Sequence, residues 1–529
     1  MESEGAGKLL AEAGVDARRL RAAIGLLSDG SWWTLAELVR ATATSRRGVE
    51  ALLRELDLER SGDRFRLPPD KAAAYRDLSD PPDAGPAGPV DHLLGGYGDV
   101  VARMAALIAE APRGRQALDH VSATPQTVVS RALLLGARFR LPGARVLCLG
   151  DHDLTSLAVA MLHPEAEVTV VDVDERVLAY IAARAGEAGL TVRTRWADLR
   201  LGLPASVREQ ADLVVTDPPY TPEGIGLFAA RAVEAVGDIG TARVLLAYGA
   251  GERSPMLAFK VQSALHDLNL VTEAMYPDFN RYFGAEAIGS AADLYVLRPT
   301  TRSRPAAATR AARFATAIYT HGPQSVESHQ AAAGAAFTGG FTPGVLVGDW
   351  PADLLPGTPR VRLSVWLAKP YASSPGRVAV AVPPGLGPAV PRLLLACRAA
   401  HVRVLAAVRE ARDGDLWPAL VAAGGPLSAV YDLTVTGTGI DAVRRAEPRD
   451  PAALVLRRVL DNAHGKLANT WREALIKAHQ GLTKRQARAV VAEAAPWAGD
   501  ATPLELPAHR LAELPAQVAA SLRAAQDAG

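Results

Sequence analysis

Cysteine is scarce in this sequence, with two residues among 529. Cys148 falls in an apolar segment and Cys397 in a segment with a helical pattern. Two isolated thiols of this kind exclude a disulfide framework and a thiolate metal site. Lysine is scarce too, with seven residues against 51 arginines. Because alanine is abundant as well, we interpret this bias as genome composition rather than function.

Long apolar runs are also missing. No stretch of about eighteen apolar residues occurs, which excludes a membrane-spanning helix, and residues 1–7 lack the pattern of a secretory leader. We therefore expect a cytoplasmic protein that makes no membrane contact. Hydrophobic residues at 49% and charged residues at 22% are ordinary for globular proteins. The length is sufficient for about three domains.

Residues 145–300 alternate apolar strands with helical patterns. The alternation predicts an α/β fold with about seven strands in a mainly parallel sheet, the methyltransferase-type variant of the Rossmann-like fold. The first strand, at 146–149, leads through Gly150 into a helix that Thr155 or Ser156 would cap. Ligands of such sheets bind at the carboxyl ends of the strands.

Acidic residues follow three of the predicted strands. Asp151 and Asp153 follow the first strand, Asp172 ends the second, and Asp217 follows the fourth. The position of Asp172 is typical of an acid that binds ribose hydroxyls, although it would also suit a helix N-cap. The first turn lacks G-x-G-x-x-G, so a dinucleotide pyrophosphate is not indicated. An acidic loop favours a cation such as the sulfonium of S-adenosylmethionine or of its decarboxylated form.

Residues 217–220 read Asp-Pro-Pro-Tyr. The prolines fix φ and carry no N–H, so this loop presents rigid carbonyls beside a carboxylate and an aromatic ring. Such a loop can hold an amino nitrogen toward an electrophilic carbon. Asp198, in the loop after the third strand, either faces an adenine or lies in a solvated turn. Asp119 and His120 precede a predicted helix at 125–135. There they would be able to reach the adenosine end of a cofactor, but such a pair is more often a surface turn, and we leave it out of the predicted site.

Four motifs together resemble the branched-chain polyamine synthases, that is, N4-bis(aminopropyl)spermidine synthases. They are Gly-Asp-His-Asp-Leu-Thr-Ser at 150–156, Val-Asp-Val-Asp-Glu-Arg at 171–176, Thr-Asp-Pro-Pro-Tyr-Thr at 216–221 and Phe-Asn-Arg-Tyr at 279–282. The resemblance implies an amino-terminal winged helix, a Rossmann-like catalytic domain, decarboxylated S-adenosylmethionine as aminopropyl donor and a polyamine as acceptor. Two features depart from the family: His152 replaces an acid, and a long carboxyl-terminal region follows.

The motifs also assign site residues. As catalytic residues we predict Asp151, Asp153, Asp217 and Tyr220; as donor-binding residues Gly150, Asp172, Val173, Asp198 and Pro218; and as acceptor-binding residues Pro219, Asp278, Asn280 and Tyr282, with no metal. We expect the last three in a loop between two strands at 270–275 and 293–297. His152 should be drawn toward its protonated form by the acids beside it, which would favour a shorter or less charged acceptor. Alternatively, its side chain points away from the site.

Composition divides the chain into five segments. We predict a winged-helix domain at 1–67, a linker and helical lead-in at 68–144, the catalytic domain at 145–300, a linker at 301–345, and at 346–529 a smaller α/β domain with a helical tail and unknown function. In this last segment, strands are predicted at 361–368, 378–382, 402–408 and 429–436.

Charge is distributed unevenly along the chain. Residues 145–298 hold 13 basic and 21 acidic residues, a net −8, whereas residues 299–529 are +9. An acidic core favours a small cationic amine over nucleic acid, although Arg46 and Arg47 stand where a winged helix reads DNA. Two alternatives therefore remain: an amino-group methyltransferase that uses S-adenosylmethionine, and a DNA-binding regulator with a ligand-sensing sheet. A homodimer is expected.

Overall fold

The structure is a computed structural model. It describes residues 4–80, 88–251, 254–312, 317–321, 341–405, 425–435 and 439–527. The predicted strand ends at 406–408 and 436 lie outside these ranges. Within them, no helix is both long and apolar enough to cross a membrane.

The helices are α1 (Glu4–Ala13), α2 (Ala17–Leu27), α3 (Leu35–Thr42), α4 (Arg46–Arg54), α5 (Pro69–Ala72), α6 (Asp91–Leu94), α7 (Gly98–Glu110), α8 (Pro125–Arg138), α9 (Thr155–Leu162), α10 (Glu175–Glu187), α11 (Pro222–Ala235), α12 (Pro255–Asp267), α13 (Ser303–Ala312), α14 (Leu363–Ala368), α15 (Val390–Leu395), α16 (Pro451–Asp461), α17 (Leu467–Ala478), α18 (Lys484–Ala494) and α19 (Ala508–Asp527). The strands are β1 (Trp33–Thr34), β2 (Glu59–Ser61), β3 (Arg64–Arg66), β4 (Arg145–Leu149), β5 (Glu167–Asp172), β6 (Val192–Trp196), β7 (Leu213–Thr216), β8 (Arg243–Tyr248), β9 (Leu270–Arg281), β10 (Ala291–Pro299), β11 (Val345–Val347), β12 (Arg360–Val361), β13 (Arg377–Ala381), β14 (His401–Leu405), β15 (Tyr431–Val435) and β16 (Gly439–Arg444).

The amino-terminal unit packs α1 to α4 around an apolar core and carries a small antiparallel sheet in the order β1-β3-β2. Its elements follow in the order that the sequence predicts, with α1 added in front. Thr34 caps α3 through a capping box with Glu37. Between β2 and β3, Gly62 supplies the positive φ of the turn.

A seven-stranded sheet forms the centre of the molecule, in the order β6-β5-β4-β7-β8-β10-β9. Strands β4 to β8 are parallel, and β10 is antiparallel to both neighbours. The parallel strands β4, β7 and β8 are nearly continuous apolar runs because helices cover both faces of the sheet. The edge strand β6 is more polar, with the sequence Val-Arg-Thr-Arg-Trp. This confirms the predicted α/β class, the number of strands and the mainly parallel arrangement.

The prediction for the edge of this sheet was wrong in one respect. Residues 276–281 do not form a loop, because β9 continues through them as the outer partner of β10. A bulge at 277–279, opposite Asp293, absorbs Pro277 and a positive φ at Asp278. At the edge of a sheet, proline leaves no ladder hydrogen bond unmade.

The linker predicted at 301–345 was also wrong over its first part. Residues 303–312 form α13, which packs on α11 through the fully buried Ala307 and through a bond of 2.9 Å from Arg310 Nη2 to the Pro222 carbonyl. Ser303 Oγ donates to the Asn269 carbonyl at 2.8 Å. The alanine-rich segment is therefore a helix, and its small side chains let it pack closely on the sheet domain.

A second sheet, in the order β12-β11-β13-β14-β16-β15, lies in the carboxyl-terminal region and is followed by α16 to α19. The strand predicted at 361–368 was wrong, because α14 occupies most of it. Leu363 and Trp366, three residues apart, are buried on the same face of this short helix. Two further strands, β11 and β16, were not predicted.

The carboxyl-terminal region is anchored to the central sheet by a buried ion pair. Arg392 Nη2 donates to Glu175 Oε1 at 2.5 Å, and its guanidinium lies 4.1 Å from the centre of the Trp196 ring. The other oxygen of Glu175 accepts from the Ala508 amide at 2.8 Å. These contacts fix the amino terminus of α10 and the end of β6. The loop residues Val173 and Ala197, next to these two elements, line the cavity described next.

Candidate active site

A cavity of about 490 Å³ opens at the carboxyl ends of β4, β5 and β7. It brings together most of the predicted site residues, namely Gly150, Asp153, Asp172, Val173, Asp198, Asp217, Pro218, Pro219, Tyr220 and Tyr282. Asp151, Asp278 and Asn280 are not among the residues that line it. Its volume is in the range of small-molecule sites.

Asp151 acts as a structural cap. Its carboxylate accepts from the Ser156 amide at 3.1 Å, so Asp151 serves the amino terminus of α9, and the predicted cap by Thr155 or Ser156 was wrong. Leu154, the residue before α9, has a φ of 63°, and its side chain makes no capping hydrogen bond because it has no acceptor atom. Burial raises the pKa of Asp151 to about 8.

Arg131 joins the other two predicted carboxylates of this region. Its Nη1 donates to Asp153 Oδ2 at 2.8 Å and its Nη2 to Asp217 Oδ2 at 2.6 Å. Nε donates to Asn280 Oδ1 at 2.8 Å. The guanidinium is 3% exposed; burial opposes its charge, but Asp153 and Asp217 raise its pKa well above the usual range. Asn280 therefore supports the arginine from β9 and does not line the cavity.

Asp217 is also bonded to two tyrosine hydroxyls. Tyr220 Oη donates to its Oδ1 at 2.9 Å, and Tyr282 Oη to its Oδ2 at 2.7 Å. The two hydroxyls lie 2.9 Å apart. Burial raises the pKa of Asp217 and, together with the negative charge of Asp217, raises the pKa of both tyrosines well above 10. This end of the cavity thus combines a carboxylate of increased basicity with two neutral hydroxyls.

Asp172 ends β5 at the opposite side of the Gly150 turn. Its two oxygens accept from the amides of Asp151, at 2.9 Å, and Asp174, at 2.8 Å. Burial raises its pKa to about 6. The cap of α10 is Asp174, whose side chain accepts from the Arg176 amide. Asp172 is therefore not a helix cap, and its remaining lone pairs face the cavity.

Asp198 follows β6 and is held by Arg200, whose Nε and Nη2 donate to it at 2.8 and 2.5 Å. It is buried, so the prediction of a solvated turn was wrong. Trp196 lies behind this loop and donates from Nε1 to the Val173 carbonyl at 3.2 Å.

Asp278 lies away from the cavity, where it pairs with Arg19 of α2 at 2.6 Å.

His152 lines the cavity, so the alternative that it points away was wrong. Its ring stacks on that of His120 with 4.4 Å between centroids. The predicted protonation was wrong too, because burial lowers the pKa of His152 and lowers that of His120 to about 3. The flanking Asp151 and Asp153 face the helix and Arg131, and Nε2 of the His152 imidazole lies 3.3 Å from Ser122 Oγ.

Sequence reasoning missed several residues of this site. Arg131 was not considered, although a basic residue in the middle of the apolar helix α8 is a detectable signal. Asp119 and His120 are not a surface turn, since both line the cavity. Further wall residues are Ala285, Ala287 and Ile288, after β9, and residues 318–321, beyond the predicted domain boundary. Among the described residues, no cluster of His, Cys, Asp and Glu has the arrangement of a metal site.

Residues 99–327 match the sequence profile of the branched-chain polyamine synthase A C-terminal domain. This segment carries every cavity residue named above. The part of the chain that the profile does not cover includes the amino-terminal unit and the second sheet.

Curated relatives match over shorter stretches. An uncharacterised protein of Methanocaldococcus jannaschii is 36% identical over 195 residues, which is 37% of this chain and 49% of that protein. The N4-bis(aminopropyl)spermidine synthase of the same organism is 29% identical over 193 residues, covering 36% of this chain and 54% of the relative. The chain thus spans about half the length of these relatives.

Among solved structures, the branched-chain polyamine synthase of Thermus thermophilus, in complex with N4-aminopropylspermidine and 5'-methylthioadenosine, is 23% identical. The match covers 55% of this chain and 92% of that one, with a TM-score of 0.41.

Proposed function

We propose that the chain transfers an aminopropyl group from decarboxylated S-adenosylmethionine to an amine and releases methylthioadenosine. The observation that carries this proposal is the placement of Asp153, Asp172 and Asp217 around one cavity in a polyamine synthase domain. Three acids at one site favour a cationic donor with no carboxylate of its own. Arg131 is buried between two of these acids and is not a lining residue, so it offers no partner for the carboxylate of S-adenosylmethionine.

In the proposed reaction the lone pair of the acceptor nitrogen forms a C–N bond with the methylene next to sulfur. The C–S bond breaks, its electron pair stays on sulfur, and the nitrogen loses one proton. Asp217 is our candidate for the group that takes this proton, because burial raises its pKa while its Oδ1 stays beside the Tyr220 hydroxyl. The Pro218 and Pro219 carbonyls would orient the amine, since both residues line the cavity.

At the donor end, Asp172 would accept the ribose hydroxyls, and Asp198 with Val173 and Gly150 would flank the nucleoside. Asp151 takes a different role from the one predicted: it would hold the Gly150 turn and α9 in place without touching substrate. Tyr282 would support Asp217. Asp278 and Asn280 would act from behind the cavity wall.

We further propose that residues 16–67 form a winged helix that serves the enzyme rather than DNA. Arg46, at the start of α4, pairs with Glu286 of the cavity loop at 2.6 Å, and Arg66 pairs with Glu59 at 2.6 Å. Each of these two arginines has a carboxylate partner on the same chain, so a contact with phosphate would first have to break an ion pair. We keep the five predicted segments as the proposed domains, except that α13 is assigned to the catalytic domain. The homodimer stays a prediction.

Calorimetric titration of the full chain with each sulfonium donor tests the proposal. Decarboxylated S-adenosylmethionine should bind at least about tenfold more tightly than S-adenosylmethionine, because the latter brings a carboxylate among acids. Preference for the carboxylated donor, with methyl transfer to an amine, would favour the methyltransferase alternative.

A further inference from the structure

The second sheet repeats the topology of the central sheet. Without its edge strand β6, the central sheet has the order β5-β4-β7-β8-β10-β9, and the second sheet has the order β12-β11-β13-β14-β16-β15. When β11 to β16 are matched in chain order to β4, β5, β7, β8, β9 and β10, every pair of neighbours agrees, and each pair runs in the same relative direction. The chain between β12 and β13, all of which is described, contains α14 and no counterpart of β6. The carboxyl-terminal region therefore contains a second copy of the catalytic fold.

The first turn of the second copy matches that of the catalytic copy. After β11, Gly348 has a φ of 93°, and its amide donates to the Val361 carbonyl on β12 at 2.8 Å. After β4, Gly150 has a φ of 69°, and its amide donates to the Val171 carbonyl on β5, also at 2.8 Å. An aspartate follows each glycine. These two glycines define which residues of the two copies are equivalent.

The acids of the catalytic site are missing from the second copy. Arg362 stands at the position of Asp172, one residue beyond the carbonyl that accepts from the turn glycine. In the strand register, the position of Asp217 is taken by the buried Ala381, and a Val-Pro-Pro sequence at 382–384 stands in place of Asp-Pro-Pro. A sulfonium donor would meet an arginine instead of the ribose acid and no carboxylate at the proline loop. The second copy is therefore unsuited to bind the donor.

The proline loop of the second copy contacts the donor end of the catalytic cavity. The Gly385 carbonyl, directly after the two prolines, accepts from Arg200 Nη2 at 3.2 Å. The same guanidinium holds Asp198 of the cavity wall at 2.8 and 2.5 Å. It also lies 5.7 Å from the centre of the Tyr319 ring, another part of the wall. A loop equivalent to the amine-binding loop thus supports a wall of the catalytic site.

Two further side chains of the carboxyl-terminal region hold the same end of the cavity. Arg392, on the helix α15 that follows the proline loop, pairs with Glu175 at 2.5 Å and lies 4.1 Å from the centre of the Trp196 ring. Its side chain is 1% exposed, so solvent and salt screen the pair little. Glu505 accepts from the Ser206 amide at 3.1 Å and from the Ser206 hydroxyl at 2.5 Å. The loops after β5 and β6 are therefore held from outside the catalytic domain.

We propose that the carboxyl-terminal region is a degenerate second copy of the catalytic fold, which binds no donor itself and holds the donor-binding loops of the catalytic copy in place. Because the ligand of these loops is the sulfonium donor, this inference rests on the proposed function. Arg392 is the positioning residue, since it does not line the active-site cavity but fixes Glu175 and Trp196 beside the two loops. Its loss should weaken donor binding and affect the reacting end, at Asp217, much less.

The stoichiometry of donor binding tests whether the second copy has lost its site. The full chain is titrated calorimetrically with decarboxylated S-adenosylmethionine, and we expect one donor to bind per chain. A stoichiometry of two overturns the assignment of the second copy and leaves the proposed function intact. Absence of binding overturns the proposed function together with this inference.

Substitution of Arg392 tests the contact between the copies. In Arg392→Met, the Kd for decarboxylated S-adenosylmethionine should rise by at least about tenfold, while kcat at saturating donor should change far less. Arg392→Lys keeps a positive charge beside Glu175 and should recover part of the lost affinity. The matched control is Arg457→Met, another buried arginine of this region, which bonds Asp461 and the Ala429 carbonyl; it should leave the Kd unchanged. An unchanged Kd in a folded Arg392→Met variant contradicts the inference.

Hydrogen exchange on the wild-type chain decides the matter even if Arg392→Met does not fold. Coupling between two sites is reciprocal, so bound decarboxylated S-adenosylmethionine should slow amide exchange in residues 383–395 and 503–508, which contact the donor-binding loops. Exchange in α18, within the helical tail, should stay the same and serves as the internal control. If the donor protects the catalytic domain but leaves exchange at 383–395 and 503–508 unchanged, the second copy does not hold these loops.

Discussion

Asp217→Asn removes the proposed proton acceptor and changes little else. An asparagine keeps the shape of the side chain and one oxygen, which can still accept from Arg131 or a tyrosine, so the fold should be retained. The residue is buried and bonded to three side chains. Replacing one of its acceptor oxygens by an NH₂ should lower the free energy of unfolding by about 1–3 kcal/mol.

The effect on turnover should be much larger than the effect on stability. A positioned acid or base contributes about 10²–10⁴-fold to a rate, so kcat should fall by at least about a hundredfold. In the wild type, the raised pKa of Asp217 means that kcat should rise with pH as the carboxylate loses its proton. In Asp217→Asn this rise should disappear, and donor affinity should change far less than kcat.

Methylthioadenosine release across a pH series, with denaturant unfolding in parallel, measures both quantities. Asp212→Asn is the matched control, because Asp212 directly precedes β7, its side chain is 44% exposed, and its carboxylate contacts Arg145 outside the cavity. Its turnover should stay near that of the wild type. If Asp217→Asn retains near-normal kcat with an unchanged pH profile, Asp217 is not the proton acceptor.

Three further predictions follow from particular contacts. Burial raises the pKa of Asp151 to about 8, so between about pH 4 and pH 8 the folded chain keeps a proton that the unfolded chain loses, and the free energy of unfolding falls as pH rises through this range. In denaturant titrations, Asp151→Asn should therefore gain about 2–4 kcal/mol of stability relative to wild type between pH 5 and pH 8. A parallel decline in both proteins would show that Asp151 is not the source of the pH dependence. Gly289→Ala should lower Tm and expose the segment after the amino-terminal unit to protease, because a Cβ would come 2.5 Å from the Ala43 carbonyl oxygen. Gly62→Ala is the control, since Gly62 has a similar φ with open space around it, and it should leave the protease pattern unchanged. Equal patterns in the two variants would show that the contact between Gly289 and Ala43 does not hold the amino-terminal unit in place. His152→Asp adds a carboxylate to the cavity and should lower KM for spermidine several-fold, and an unchanged KM would mean that this position carries no specificity.

The parallel part of the central sheet could be predicted from sequence because each strand there is buried on both faces. Strands β4, β5 and β7 are apolar runs that end in Gly150, Asp172 and Asp217, so strand, turn and site residue appear in the sequence as one signal. The same pattern predicted which residues of these strand ends line the cavity.

Strand β9 could not be predicted in full because its outer half is polar and contains Pro277. It is a strand only through its partner β10, and pairing between segments is not visible in a local pattern. Helix α13 was missed for a related reason. Alanine-rich segments are compatible with a linker or a helix, and the contact with α11 decides between them.

The pairing of charged groups in the site could not be predicted from the local sequence. The sequence places His152 between two acids, but the structure turns Asp151 toward α9 and Asp153 toward Arg131. Arg131 itself lies 22 residues before Asp153 and 86 before Asp217. Which charges meet in a buried site is set by tertiary packing, and only the presence of the charges can be read from the sequence.

The mass of the product tests the central claim most directly. The full chain is incubated with decarboxylated S-adenosylmethionine and a mixture of hexylamine and spermidine, and then, separately, with S-adenosylmethionine and the same amines. We predict an amine that has gained an aminopropyl group, together with methylthioadenosine, in the first reaction and no modified amine in the second. A methylated amine from S-adenosylmethionine, with no aminopropyl product from the decarboxylated donor, would contradict it.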